Sequence, residues 1–237
     1  MNRLSIKQIN GNNFEIPVNE NLEKHFGSIS NYMFDAPNYA FTILKQIEEY
    51  KIYFNLFKGK KDLTVLDIGA NIGLVAIHIL PACKKLICIE PTPSHFELLQ
   101  NITAGTGIEC YNFAVSNKTG KQRFLLSDKN STTNSLIEQK THSDNIEVNT
   151  KTLSQTIDDL NLEFIDIIKM DIEGSEFLVL NDEEIKKCSD KVGLYYIETH
   201  AIGDKDHNFF KGIFFGLFSK HNYKINNLTY DSFIAFK

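Results

Sequence analysis

Two pairs of charged residues, each spaced by two, close two apolar runs in the second half of the chain. Lys169 and Asp171 follow Phe164–Ile168, and Glu198 and His200 follow Val192–Ile197. On a strand, side chains at i and i+2 share a face, so each pair points one way. Neighbouring strand ends of a parallel sheet lie together, so the two pairs are expected to converge. Glu173 and Glu176 come directly after Asp171 and make this the densest polar cluster in the sequence. Such a set can take a proton, orient an anion or hold a hard cation. Asp171 and His200 are the candidate bases. Lys169 orients a carboxylate or, with a depressed pKa, accepts a proton itself. Asp171, Glu173 and Glu198 are the candidate ligands for Mg²⁺ or Ca²⁺, which favour oxygen donors. The competing reading is structural: Lys169 pairs with Asp171 or Glu198 to tie the strand ends, and Glu173 and Glu176 favour a helix N-terminus.

A second constellation lies upstream. Asp67 ends the apolar run that starts at Thr64, and Gly69, Asn71 and Gly73 make the turn into an apolar helix; Glu90 ends the next run, Lys85–Ile89. Glycines let a backbone approach a ligand closely, and a helix N-terminus offers unpaired N–H groups. An acidic residue at the second strand end suits a pair of ribose hydroxyls, as in dinucleotide sites. A nicotinamide dinucleotide fits poorly, because the string is Gly69-x-Asn71-x-Gly73 rather than G-x-G-x-x-G. Asp67 would also meet a pyrophosphate with negative charge. A sulfonium ligand carrying an α-amino group suits an acidic turn better.

The elements that must position these residues are repeated strand-then-helix units from Leu63 onward. Strands are expected at 64–68, 85–89, 108–114, 164–170 and 192–197, with a helix after Thr92-Pro93-Ser94. Continuous apolar strands separated by helices indicate a parallel sheet covered on both faces. Segments 223–228 and 233–236 fit a closing antiparallel hairpin. The polar stretch Ser127–Asn149 reads as a long loop or a lid. Phe209, Phe210, Phe214, Phe215 and Phe218 form an aromatic helix, read mainly as core. Residues 1–62 are a lead-in, with alternation at Phe14, Ile16 and Val18 marking an edge strand and helical spacing over 39–57; residues 63–237 form the main unit.

With 237 residues and 42% hydrophobic content, the chain can build one sizeable core. Its formal charge of -5 argues against a grip on nucleic acid or an acidic membrane surface. No apolar stretch is long enough to span a membrane. The four cysteines show no C-x-x-C pair, which favours free thiols and a cytoplasmic setting.

The run Val65-Leu66-Asp67-Ile68-Gly69-Ala70-Asn71-Ile72-Gly73 and then Ile89-Glu90-Pro91-Thr92-Pro93 resembles the FkbM-type S-adenosylmethionine-dependent methyltransferases. Asn112-Phe113-Ala114-Val115-Ser116-Asn117, the segment from Ile165 to Glu176 and Ile197-Glu198-Thr199-His200 carry the likeness onward. The resemblance implies a class I methyltransferase fold, a Rossmann-like doubly wound α/β sheet of seven strands whose last is antiparallel. It implies S-adenosylmethionine as cofactor, with Asp67, Gly69 and Asn71 at its amino-acid end, Gly73 in the same turn, Glu90 at the ribose, and Phe113 and Ala114 near the adenine. It further implies O-methylation of a hydroxyl on a saccharide or other small molecule. Ser154 departs from the family pattern, which has an acidic residue there. The rival readings are a nicotinamide-dependent oxidoreductase and a catalytically silent binding protein on the same fold.

Overall fold

The computed structural model describes residues 2–7, 13–18, 55–127, 133–138 and 142–237. The main sheet has seven strands: β3 (Leu63–Ile68), β4 (Cys83–Ile89), β5 (Glu109–Tyr111), β9 (Ile165–Met170), β10 (Val192–Glu198), β11 (Lys224–Asn227) and β12 (Ser232–Phe236). Their spatial order is β11-β12-β10-β9-β3-β4-β5. Only β12, the last in sequence, runs against its neighbours; β3, β4, β5, β9 and β10 are mutually parallel. The chain builds outward from β3 in one direction through β4 and β5, then returns to β3's other side with β9. That reversal is the switch point at which an open α/β sheet binds its ligand.

The apolar strands bury both faces because alternate residues enter different layers. Leu66, Ile68, Ile168, Met170, Tyr195 and Ile197 join one core. Val65, Ile167 and Tyr196 join the other. Asp67, Lys169 and Glu198 have the parity of this second set, so three charged groups replace apolar ones at the carboxyl ends of one face. Helices α1 (Leu74–Ile79) and α2 (Pro93–Thr103) follow β3 and β4, and α3 (Leu153–Asp159) precedes β9. Two short helices, α4 (Glu176–Val179) and α5 (Asp182–Cys188), lead into β10. Helix α6 (His207–Lys220) puts Phe210, Phe214 and Phe218 into the first core at helical spacing, while Phe209 stays exposed.

Several expectations change. The run 108–114 is not one strand: β5 stops at Tyr111, and Ala114–Val115 (β6) joins another sheet. Asn112 makes the break, its side-chain amide donating to the Glu90 and Pro91 carbonyls at 2.8 and 3.0 Å. The polar stretch Ser127–Asn149 is not all loop. Residues His142–Lys151 form β8, paired antiparallel with β7 (Gly120–Ser127) and parallel with β6 in a three-stranded sheet. The lead-in carries β1 (Asn2–Lys7) and β2 (Asn13–Val18), an antiparallel pair that includes the expected edge strand. The helix expected over 39–57 lies outside the described residues except for its last turn, residues 55–57. All four cysteines are free thiols. Among the described residues no helix is long and apolar enough to cross a membrane.

Candidate active site

Pairing of β3 with β9 sets Asp67 directly opposite Lys169. The Lys169 ammonium lies 3.2 Å from Asp67 Oδ1 and 3.6 Å from Asp171 Oδ2, and donates to the Gly69 carbonyl at 3.1 Å. Burial by itself would strip the Lys169 proton, but Asp67, Asp171 and Glu198 outweigh it and hold the ammonium above its ordinary range. Lys169 is therefore a fixed cation. The raised pKa counts against Lys169 accepting a proton; the expected pairing with Asp171 is present, and Asp67, which the sequence did not suggest, is nearer.

Asp67 is fully buried, and burial raises its pKa against the opposing pull of Lys169. Its contact with Lys169 is an ion pair by distance, and neither carboxylate oxygen receives an aligned hydrogen bond. Buried carboxylates normally have their lone pairs engaged. Gly69 explains why β3 and β9 end so close together: a Cβ there would sit 1.9 Å from the Asp171 carbonyl oxygen. The Asp171 N–H bonds the Ile68 carbonyl at 3.1 Å across the same gap. Gly73, at φ 88°, faces Leu99 of α2, which a Cβ would meet at 2.6 Å. Asn71 holds φ 51° without being glycine, a conformation its short polar side chain tolerates.

Glu90 locks this turn to the second strand. Its Oε2 accepts from the Asn71 N–H at 3.0 Å and its Oε1 from the Thr92 N–H at 2.8 Å. Burial raises the Glu90 pKa, and the two amides oppose the rise. His95 of α2 lies 3.7 Å away and is pushed down to about 4 by burial, so it stands beside Glu90 uncharged. Phe113 and Ala114 are buried just beyond β5, with the Lys151 ammonium 5.1 Å from the Phe113 ring centre.

On the other side of Lys169, the ends of β9 and β10 meet. His200 Nε2 lies 3.6 Å from Asp171 Oδ1 and 3.4 Å from Glu173 Oε2. Its Nδ1 is 3.1 Å from Glu176 Oε1. Glu176 is itself buried, and the same oxygen accepts from the Ile172 N–H at 2.9 Å. Burial disfavours the imidazolium, but Glu173, Glu176 and Asp171 together pull the His200 pKa well above its usual value. Glu173 adopts φ 55°, a left-handed conformation unusual for its type and of the kind found at functional sites.

The methyltransferase FkbM domain model matches residues 67–225. The chain belongs to the FkbM methyltransferase family. Among solved structures it is similar to a fibrillarin pre-rRNA processing protein of Methanococcus jannaschii, with 15% identity and a TM-score of 0.50 over 75% of this chain and 67% of that one. A precorrin-6y C5,15-methyltransferase from Geobacter metallireducens is similar at 12% identity and TM-score 0.47, covering 80% of this chain and 88% of its own. A fibrillarin of Aeropyrum pernix, with natively bound S-adenosyl-L-methionine, is similar at 12% identity and TM-score 0.43 over 78% and 74% of the two chains. At 15% identity the likeness to the Methanococcus jannaschii protein is one of fold. A search of curated proteins finds no match.

This FkbM chain therefore brings together the expected residues of both constellations: Asp67, Gly69 and Asn71 with Glu90, and Lys169, Asp171, Glu173 and Glu198 with His200. Sequence reading missed Thr92 and His95 as partners of Glu90, and Glu176 as the partner of His200. Thr92 was legible as a helix start and Glu176 as a helix-end charge; His95, one turn into α2, carried no signal. Ser154, the departure from the family pattern, has a structural partner: its N–H and hydroxyl both donate to the buried Glu184 of α5, at 2.8 and 3.0 Å.

Residues 133–138 run across the two constellations. Asn134 donates to the Thr92 hydroxyl at 3.4 Å, the Ser135 hydroxyl lies 3.0 Å from that of Ser175, and the Leu136 N–H donates to Ser175 at 3.2 Å. Ser135 and Ser175 are both buried. Ser175→Ala is expected to raise hydrogen exchange of residues 133–138 roughly tenfold relative to β9, since unmaking buried hydrogen bonds costs about 1–3 kcal/mol. Unchanged protection there would show that the strap is held by other contacts.

Proposed function

We propose that this FkbM-family protein transfers a methyl group from S-adenosylmethionine to a hydroxyl oxygen of a saccharide, a glycan precursor or another small metabolite. The observation that carries the reading is the placement of Asp171, Glu198 and His200 beside the acidic turn that ends β3. A hydroxyl must shed its proton as it is methylated, and here carboxylates stand at the switch point where an acceptor would enter. Asp67 and the Gly69–Gly73 turn would hold the cofactor's amino-acid end, Glu90 its ribose, and Phe113 and Ala114 its adenine. The cofactor supplies an activated methyl group on a sulfonium. Lys169, locked as a cation, keeps the Asp67 and Asp171 carboxylates apart and aimed. Asp171, part-exposed at the end of β9, is the group placed to take the hydroxyl proton.

Calorimetry tests the cofactor half. S-adenosylhomocysteine should bind more tightly than NAD, and Glu90→Ala should weaken it about 10- to 150-fold through loss of charge-assisted hydrogen bonds of roughly 1.5–3 kcal/mol. Preference for NAD would overturn the reading. Methyl-labelled cofactor offered with a panel of sugars and sugar precursors tests the acceptor half. The label should reside in a methyl ether stable to mild alkali; a base-labile ester or an N-methyl product would contradict the hydroxyl assignment.

A further inference from the structure

We infer that Asp171, Glu198 and His200 form a binding site for one divalent cation of the Mg²⁺ and Mn²⁺ class, with Mn²⁺ the better fit. Each of the three residues offers a ligand atom, and these atoms all lie within 4.8 Å of one another. A first-row divalent ion bonds nitrogen and oxygen at about 2.0–2.2 Å, which brings such atoms within roughly 3–4.4 Å after a small contraction. The three donors come from two adjacent strand ends, because β9 and β10 pair in parallel with Met170 opposite Ile197.

A second observation sets the imidazole for ligation. Histidines that bind metals almost always give their other ring N–H to a carboxylate or carbonyl, which fixes the tautomer and the ring direction. Here Glu176 takes that part: it is buried, anchored by the Ile172 N–H at 2.9 Å, and 3.1 Å from His200 Nδ1. With Nδ1 committed to Glu176, Nε2 is the ligand atom, and the incoming ion would displace its proton; it lies 3.6 Å from Asp171 Oδ1. The donor set of two carboxylates and one imidazole suits Mn²⁺, since carboxylates alone favour Mg²⁺ and Ca²⁺ and an imidazole shifts preference toward transition metals. The sequence had suggested Glu173 as the third ligand. In the structure His200, rather than Glu173, groups with Asp171 and Glu198, and Glu173 stands 3.4 Å from His200 Nε2. Such an ion would lie beside the cofactor turn, where it would lower the pKa of an acceptor hydroxyl.

The catalytic use of the ion rests on the methyl-transfer reading above, but its existence does not, so binding is measured without turnover. The full-length chain, stripped with chelator, is titrated with Mn²⁺ and free ion is followed by electron paramagnetic resonance. One saturable site per chain is expected, with spin-echo modulation from a coordinated imidazole nitrogen. His200→Ala should abolish that modulation and weaken binding at least tenfold. Glu176→Gln should weaken it about 10- to 100-fold, the usual effect of losing such an outer partner. Glu198→Gln, nearly the same shape as the native side chain, should weaken it comparably and guards against a misfolded alanine variant. Glu183→Gln, which alters an exposed acid paired with Lys187, should leave it unchanged. Absence of a saturable site, or binding that His200→Ala and Glu198→Gln leave intact, overturns the inference. Binding of Mn²⁺ without any binding of S-adenosylhomocysteine would instead sink the methyl-transfer reading alone.

Discussion

Replacing Lys169 by alanine is expected to destabilise the fold by about 3–5 kcal/mol, the range found when one partner of a buried ion pair is removed. For a chain of this size that corresponds to a fall in melting temperature of roughly 6–20 °C. The loss arises because Asp67 is fully buried and, among the described residues, is paired by distance with Lys169 alone, with no other aligned hydrogen bond to fall back on. Asp171 is less affected, being part-exposed and also paired with His200. The double variant Asp67→Asn with Lys169→Met should recover much of the stability, since it removes both charges together. It should not recover cofactor binding. A Lys169→Ala protein that melts at the native temperature would mean that the pair contributes nothing, and the assignment of Lys169 as a fixed internal cation would fall.

That pair also marks the limit of what the sequence disclosed. β3, β4, β9 and β10 were legible because each is a mostly apolar run with a charged residue at or next to its carboxyl end, as strands buried on both faces are. The carboxyl-end location of Asp67, Glu90, Asp171 and Glu198 followed from the same pattern. Which ends touch did not follow, because β9 inserts beside β3 after a long excursion through β7 and β8. Asp67 and Lys169 become neighbours only through that strand order. Glu176 was hidden for a related reason: its position after Gly174-Ser175 looks like an ordinary helix-end acid, and its partner His200 comes from the far end of β10. The β7–β8 hairpin was missed on composition. Its strands bury Phe124, Leu125 and Val148 but otherwise carry Lys, Gln, Arg, Asn and Asp, so the alternation of a one-sided sheet was masked by polar residues that resemble a loop.

Asp171→Asn is expected to lower turnover by about 100- to 10,000-fold, the usual worth of a positioned general base, while S-adenosylhomocysteine affinity changes only a few-fold. Asparagine keeps the shape and the backbone bond from the Asp171 N–H to Ile68, so the β3–β9 junction survives. It cannot accept the acceptor's proton, and it is a poor ligand for a divalent ion. The side chain is part-exposed, so its pairing with Lys169 and His200 stabilises the fold by about 1 kcal/mol at most. The contrast with Lys169→Ala is therefore diagnostic: one variant loses stability, the other loses rate. Mn²⁺ resonance on the same Asp171→Asn protein then divides the rate loss between its two sources. Retained Mn²⁺ binding with lost turnover assigns the effect to proton transfer by Asp171 itself. Lost binding assigns it to the ion that Asp171 holds. Turnover within a few-fold of native, in a protein that folds and binds cofactor, would remove Asp171 from the chemistry altogether and leave it as a strut between β9 and His200.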